Sequence, residues 1–223
     1  MNRQILNVDK VTKQYKAGQP VFKDISMTFE PGDAVGLIGP NGSGKTTFLK
    51  LVSVNTFPTV GKVNYGDMNI HRNPHEYLKN VGLVHDEESL PQYLSAMELM
   101  EWVLRARSKW KDHSGQRISD LFDRLELGEA RYDQVGTYST GMKKKVQIAA
   151  ALITEPSVLI LDEPLRGLDQ SSKETSIELF SERIQQGVIF LMASHDREDI
   201  QSLFSRVLEF PLESGSLREE AEH

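Results

Sequence analysis

Apolar positions fall into two rhythms along this chain. Short apolar runs at Ala34–Ile38, Val81–Val84, 157–161 and 187–193 are rich in Val, Ile and Leu. Runs this short read as buried strands of a mostly parallel sheet. Residues 5–11 and 22–29 also read as strands, the second placing Phe22, Ile25, Met27 and Phe29 on one face. Ala17-Gly18-Gln19-Pro20 and Pro31-Gly32-Asp33 read as turns. After a break at Pro58-Thr59-Val60-Gly61, residues 62–65 and 68–70 flank a Gly66-Asp67 turn as a short hairpin.

From Pro91 the period becomes helical. Ser95 and Glu98 have capping-box spacing. Leu99, Met100, Val103 and Leu104, then Ile118, Leu121, Phe122 and Leu125, follow at intervals of three and four, and Gly128 stops the pattern. Met97, Met100, Trp102 and Trp110 are expected to be ordinary core. A helix over 171–186 carries an apolar face of Ile177, Phe180 and Ile184. Residues 206–210, a turn near Ser214-Gly215 and an acidic end close the chain. Strands alternating with helices predict an α/β fold with its ligand at the carboxyl ends of the strands.

One of those strand ends carries chemistry. Gly39-Pro40-Asn41-Gly42-Ser43-Gly44-Lys45-Thr46-Thr47 fits Gly-x-x-x-x-Gly-Lys-[Ser/Thr]. Small residues let successive backbone N–H groups turn towards phosphate oxygens, and glycine accepts backbone angles that a Cβ forbids. Lys45 supplies a point charge for the β- and γ-phosphates, and Thr46 a hydroxyl for Mg²⁺. The residues from Thr46 to Ser53 read as a helix whose N-terminus favours an anion. The chain therefore binds a nucleotide.

Composition narrows the partners. The formal net charge of -6 offers no basic excess for nucleic-acid phosphates, so no nucleic-acid partner is expected. The chain has no cysteine, which excludes disulfides and thiol catalysis. No apolar run approaches the roughly 20 residues that span a bilayer, and the N-terminus lacks an apolar signal region. A cytoplasmic chain is expected, with any membrane role reached through a partner.

The run 158–161 ends in Asp162-Glu163. An acid there can hold the water shell of Mg²⁺, and a second can orient or deprotonate an attacking water. With these residues in place the chain resembles, over essentially its whole length, the ATP-binding subunit of ABC transporters. Tyr138-Ser139-Thr140-Gly141-Met142 stands where that family's signature precedes a helix. Leu168-Asp169 matches its D-loop, His195 its switch histidine, and Tyr15 is placed like the aromatic that stacks on adenine. The resemblance implies a P-loop ATPase core with an N-terminal antiparallel β subdomain and an inserted helical subdomain. The expected division of the single domain 1–223 is a core of 1–86 and 151–223, with the helical part at 87–150.

The resemblance further implies ATP and Mg²⁺ as cofactors. Glu163, His195 and Lys45 would be catalytic, and Thr46, Asp162 and Asp86 would serve the metal. Ser139, Thr140 and Gly141 would cap the γ-phosphate held by a second protomer, so that ATP lies between two copies or between this chain and a relative. The remaining partner is a transmembrane permease, which would hold the chain on the inner face of the membrane.

Three departures stand out. Thr140 and Met142 replace the usual Gly and Gln of the signature, and the Gly-Met-Lys that results is similar to export-type subunits. Leu165-Arg166 replaces small residues before Gly167-Leu168-Asp169. Asp86 stands where the family places a Gln that reaches Mg²⁺ and connects to the membrane subunit; an ionised Asp is shorter and donates no hydrogen bond. Lys143-Lys144-Lys145 reads as a solvated helix start, with a γ-phosphate or partner contact as the alternative. Export by an ABC ATPase is the leading expectation. A soluble cofactor-assembly ATPase and a nucleotide-gated switch stay open beside it.

Overall fold

The computed structural model describes residues 4–86, 90–194 and 203–212. The first sheet is antiparallel, with strands β1 (Leu6–Lys16), β2 (Gln19–Phe29), β4 (Val60–Tyr65) and β5 (Met68–Asn69) in the order β2-β1-β4-β5. The second is parallel throughout, with β3 (Ala34–Ile38), β6 (Val81–Val84), β7 (Val158–Asp162), β8 (Ile189–Ala193) and β9 (Arg206–Glu209) in the order β6-β7-β8-β3-β9. This is a P-loop α/β architecture carrying an antiparallel β layer and a group of helices.

The β1–β2 ribbon is longer than the apolar pattern indicates. Gln19 and Pro20 lie in β2, which leaves a turn at Ala17-Gly18. The three-residue step from Phe22 to Ile25 is accommodated by irregular pairing around Lys10 and Asp24, both at positive φ (48° and 52°). Hydroxyls satisfy the displaced amides: Ser26 Oγ accepts from the Lys10 N–H, and Thr12 Oγ1 from that of Asp24. Phe22, Ile25 and Phe29 consequently share the buried face, while Met27 is only half-buried.

Helix α1 (Lys45–Val52) lies between the two sheets. Its Phe48 meets the rings of Phe22, Phe29 and Phe210 edge-on at 6.2, 6.2 and 5.9 Å. These contacts fix the helix whose first residue is Lys45, so packing at one end of α1 sets the phosphate loop at the other.

The opposite face of the parallel sheet is covered by α3 (Ala96–Ala106), α4 (Ser114–Arg124), α5 (Thr140–Ile153) and α6 (Gln170–Gln185). A parallel sheet needs cover on both faces, and these helices supply the second. α5 approaches β6 closely: a Cβ on Gly82 would stand 2.4 Å from the Ala151 carbonyl oxygen. The capping box at α3 is formed, with Ser95 Oγ accepting from the Glu98 N–H and Glu98 Oε2 from the Ser95 N–H.

Trp102 departs from the expected core, being 60% exposed. It lies two residues from the buried Met100 and Leu104, on the other side of α3, where helical geometry turns it outward. Met100 is buried, and Met97 and Trp110 are partly buried against the core. A short helix, α2 (Pro74–Leu78), carries no apolar period that would reveal it, and is started by Pro74 at its first turn.

Candidate functional site

The phosphate loop joins the end of β3 to α1. Gly42 (φ 79°) and Gly44 (φ 110°) take left-handed conformations, and Gly44 stands at the N-cap position of α1. A Cβ on Gly44 would also come within 2.8 Å of Val21 Cγ1, so glycine is required there twice over. The buried ammonium of Lys45 donates to the carbonyls of Gly39 at 2.6 Å and Pro40 at 3.1 Å. Ser43 N–H donates to Pro40 O at 3.2 Å. Gly39 and Pro40 thus form the back of the loop, and Asn41 to Thr47 its open side.

That open side faces a cavity of about 580 Å³. Its walls are residues 41–47 with Val21, Asp86, Asp162, Glu163 and Arg166. Five of these come from three separate carboxyl ends of the parallel sheet or from the turn that follows one: the loop after β3, Asp86 after β6, and Asp162, Glu163 and Arg166 at and after β7. Strand order alone brings them together, because β7 pairs with both β6 and β8 while β3 lies next to β8.

Asp162 ends β7 and is 6% exposed. Burial pushes its carboxyl above the usual carboxylate range, and the nearby Asp86 adds to the rise. A hydrogen bond with the Thr46 side chain opposes it, as do His85 and Lys50. A buried carboxylate facing a hydroxyl and a second carboxylate is an oxygen donor set lacking positive charge. Among the described residues no group of three or more His, Cys, Asp or Glu is arranged to hold a metal ion. Mg²⁺, however, is commonly bound through one or two carboxylates plus substrate phosphates rather than by an all-protein cage. Thr46, Asp162 and Asp86 beside a phosphate loop fit that mode.

Glu163 follows at φ 50°, a left-handed conformation uncommon outside glycine. Its N–H donates to the Ala193 carbonyl at 3.0 Å, which holds the turn against the end of β8. The turn directs the half-buried Glu163 towards the cavity, one residue from Asp162, a placement suited to a water-activating base. Strain of this kind gathers at functional sites.

The remaining predicted residues lie elsewhere. Ser139 caps α5, its Oγ accepting from the Met142 N–H at 3.2 Å, and Ser139 and Thr140 are exposed. Neither they nor Gly141 line the cavity. Asp169 caps α6, accepting from the Ser172 N–H at 2.8 Å; this bond holds its carboxyl below the usual carboxylate range. Tyr15 is not in a turn, since β1 runs on through Lys16. It is exposed there, with the Lys13 ammonium 4.6 Å from its ring centre. His195 lies outside the described residues.

Two features escape a reading of the sequence. Lys144 and Lys145 are not a solvated helix start but are buried, at 3% and 7% exposure. Lys144 Nζ donates to the His85 carbonyl, and Lys145 lies close enough to Asp169 to lower its pKa. Consecutive lysines suggest solvent, and only the packing of α5 against β6 makes the carbonyl available. The second feature is an ion pair between Arg166 and Asp86, 3.4 Å apart. The chain separation between them hides it, although two simultaneous departures from the family pattern could have raised the question.

Comparison with known proteins agrees with this geometry. A family model described as ABC transporter matches residues 22–166. ABC transporter ATP-binding protein NatA of Bacillus subtilis is 31% identical over 83% of this chain and 76% of NatA. Spermidine/putrescine import ATP-binding protein PotA of Fusobacterium nucleatum is 30% identical over 93% of this chain and 55% of PotA. The chain therefore spans between about half and three-quarters of these relatives. A solved dimeric bacterial ABC transporter cassette superposes with a TM-score of 0.82 at 23% identity, covering 96% of this chain and 97% of the other.

Proposed function

The chain belongs to the ABC transporter family of ATPases, and we propose that it is the subunit that closes around ATP with a second copy and drives a separate permease. The observation that carries this is one cavity in which the phosphate loop, the Thr46–Asp162–Asp86 oxygen donors and Glu163 converge. In this reading the core is 1–86 and 151–223, with the helical part at 87–150.

Loop amides and Lys45 hold the triphosphate, Lys45 exchanging the Gly39 and Pro40 carbonyls for phosphate oxygens in charge-assisted hydrogen bonds. Thr46, Asp162 and Asp86 would hold Mg²⁺, which when bound neutralises charge on the β- and γ-phosphates. Glu163 takes a proton from water as the water oxygen bonds to the terminal phosphorus. The bond from that phosphorus to the β–γ bridging oxygen breaks, giving ADP and phosphate. His195 donates a hydrogen bond to the terminal phosphate, and Tyr15 stacks on the adenine.

The signature residues support a shared site. Ser139, Thr140 and Gly141 stand at a helix N-terminus, suited to an anion, yet outside the cavity formed by their own chain. A second copy bringing that helix end to the cavity completes the phosphate cage, with Asp169 at the junction. A permease partner is supported by NatA and PotA, both named as ATP-binding proteins of transport systems. Among the described residues no helix is long and apolar enough to cross a membrane, so the permease would hold the chain at the membrane's inner face. The export direction rests on Gly141-Met142-Lys143 and on Asp86.

Co-expression with the membrane protein encoded beside this chain tests the reading. Co-purification from detergent and ATPase stimulation by that protein are expected, with cargo moving outward in vesicles of either orientation. A chain that never partitions to membranes overturns the permease role, and inward movement overturns export.

A further inference from the structure

The Asp86–Arg166 pair sits in the wall of the nucleotide cavity rather than on a remote surface. Each partner is placed by structure behind it. Leu165 and Leu168 are buried in the core on either side of Arg166. The Arg166 N–H donates to Glu163 O and the Leu168 N–H to Leu165 O, both at 3.3 Å, closing a turn. With its neighbours pinned inward, Arg166 is presented outward, two residues beyond Pro164 and three beyond Glu163. Asp86 is fixed by the preceding residue, whose carbonyl accepts from Lys144.

The pair itself is loosely held. Both contacts from Arg166 Nη1 to the Asp86 carboxylate are 3.4 Å long, and the side chains are 70% and 42% exposed. An exposed ion pair of this kind contributes little. A terminal phosphate carries more charge than one carboxylate, and guanidinium groups pair with phosphate through parallel hydrogen bonds. When a triphosphate enters the cavity, Arg166 therefore has a stronger acceptor within the same walls.

We propose that Arg166 is a cation contributed by the chain's own cavity to the terminal phosphate, held on Asp86 until a triphosphate arrives. Asp86 then acts as the competing acceptor that keeps the arginine off a diphosphate, which lacks the terminal group. The pair discriminates ATP from ADP. This rests on the cavity being a nucleoside-triphosphate site, as proposed above.

Binding of ADP and of a non-hydrolysable ATP analogue tests it, with chelator present so that metal makes no contribution, and at dilution that keeps the chain monomeric. Arg166→Ala is expected to weaken the analogue at least about tenfold, the loss of one charged hydrogen-bonding contact, and ADP less than about twofold by the same reasoning. Arg166→Lys should recover part of the loss. Asp86→Asn should tighten the analogue, and only when Arg166 is present. Equal losses for both nucleotides, no loss for either, or an Asp86→Asn effect that persists in Arg166→Ala overturns the inference. Failure of the wild-type chain to bind either nucleotide would instead overturn the underlying nucleotide site.

Discussion

The buried ammonium of Lys144 donates to the backbone carbonyl of His85 at 3.1 Å, tying the first turns of α5 to the end of β6 one residue before Asp86. The helix that carries the signature at its N-terminus is thereby fastened to the strand that delivers a wall of the nucleotide cavity. Lys144→Met keeps the aliphatic stem and removes the donor. It is expected to destabilise the fold by about 1–3 kcal/mol, the cost of depriving a buried acceptor of a partner. In a chain of this size that lowers the melting temperature by about 2–4 °C for each kcal/mol. A melting curve that matches the wild type would show that the bond contributes nothing.

Asp169 links pH to stability. The Ser172 N–H holds its carboxyl below the ordinary 3.8, so the folded state binds its proton less readily than the unfolded one. The stabilisation is therefore present above the ordinary value and is lost as pH falls through the lowered one. Asp169→Asn keeps a capping oxygen for α6 but cannot titrate. Thermal melts across the acid range should show the wild type losing more stability on acidification than Asp169→Asn. Parallel curves would place the acid sensitivity elsewhere.

Lys45 is buried among loop carbonyls and has no other role in the core than to reach the phosphates. Lys45→Ala is expected to fold and to lose ATP affinity by at least about tenfold, the scale of one charged contact. Circular dichroism alongside fluorescent-nucleotide titration separates this from misfolding. Retained affinity would mean that the loop amides alone hold the phosphates.

Much of the fold was legible because it rests on local rules. The apolar runs at 34–38, 81–84 and 158–161 locate strands of the parallel sheet, and the Ser95–Glu98 spacing locates the start of α3. The phosphate loop and Asp162-Glu163 could be read for the same reason: each motif is contiguous, and its chemistry depends on residues a few positions apart. What escaped depends on contacts between distant segments. Lys144 and Lys145 are buried because α5 packs on β6, which no lysine spacing reveals. Arg166 meets Asp86 because β6 and β7 are neighbours. Trp102 fits a generally apolar helix but falls off its buried stripe, and the β1–β2 ribbon extends past its apolar residues through backbone pairing that side-chain pattern does not encode.

The central claim is that one chain supplies half of a hydrolytic site. It is tested most directly by the mass of Glu163→Gln in solution, measured by sedimentation with and without ATP. Removing the base should lower turnover roughly 10²–10⁴-fold while leaving the phosphate loop intact, so ATP should accumulate between two copies. The expected result is a monomer without nucleotide and a dimer with ATP, the dimer being lost when Ser139 is replaced by a bulky residue in the same chain. A Glu163→Gln chain that binds ATP tightly yet remains a monomer at every concentration would contradict the shared site.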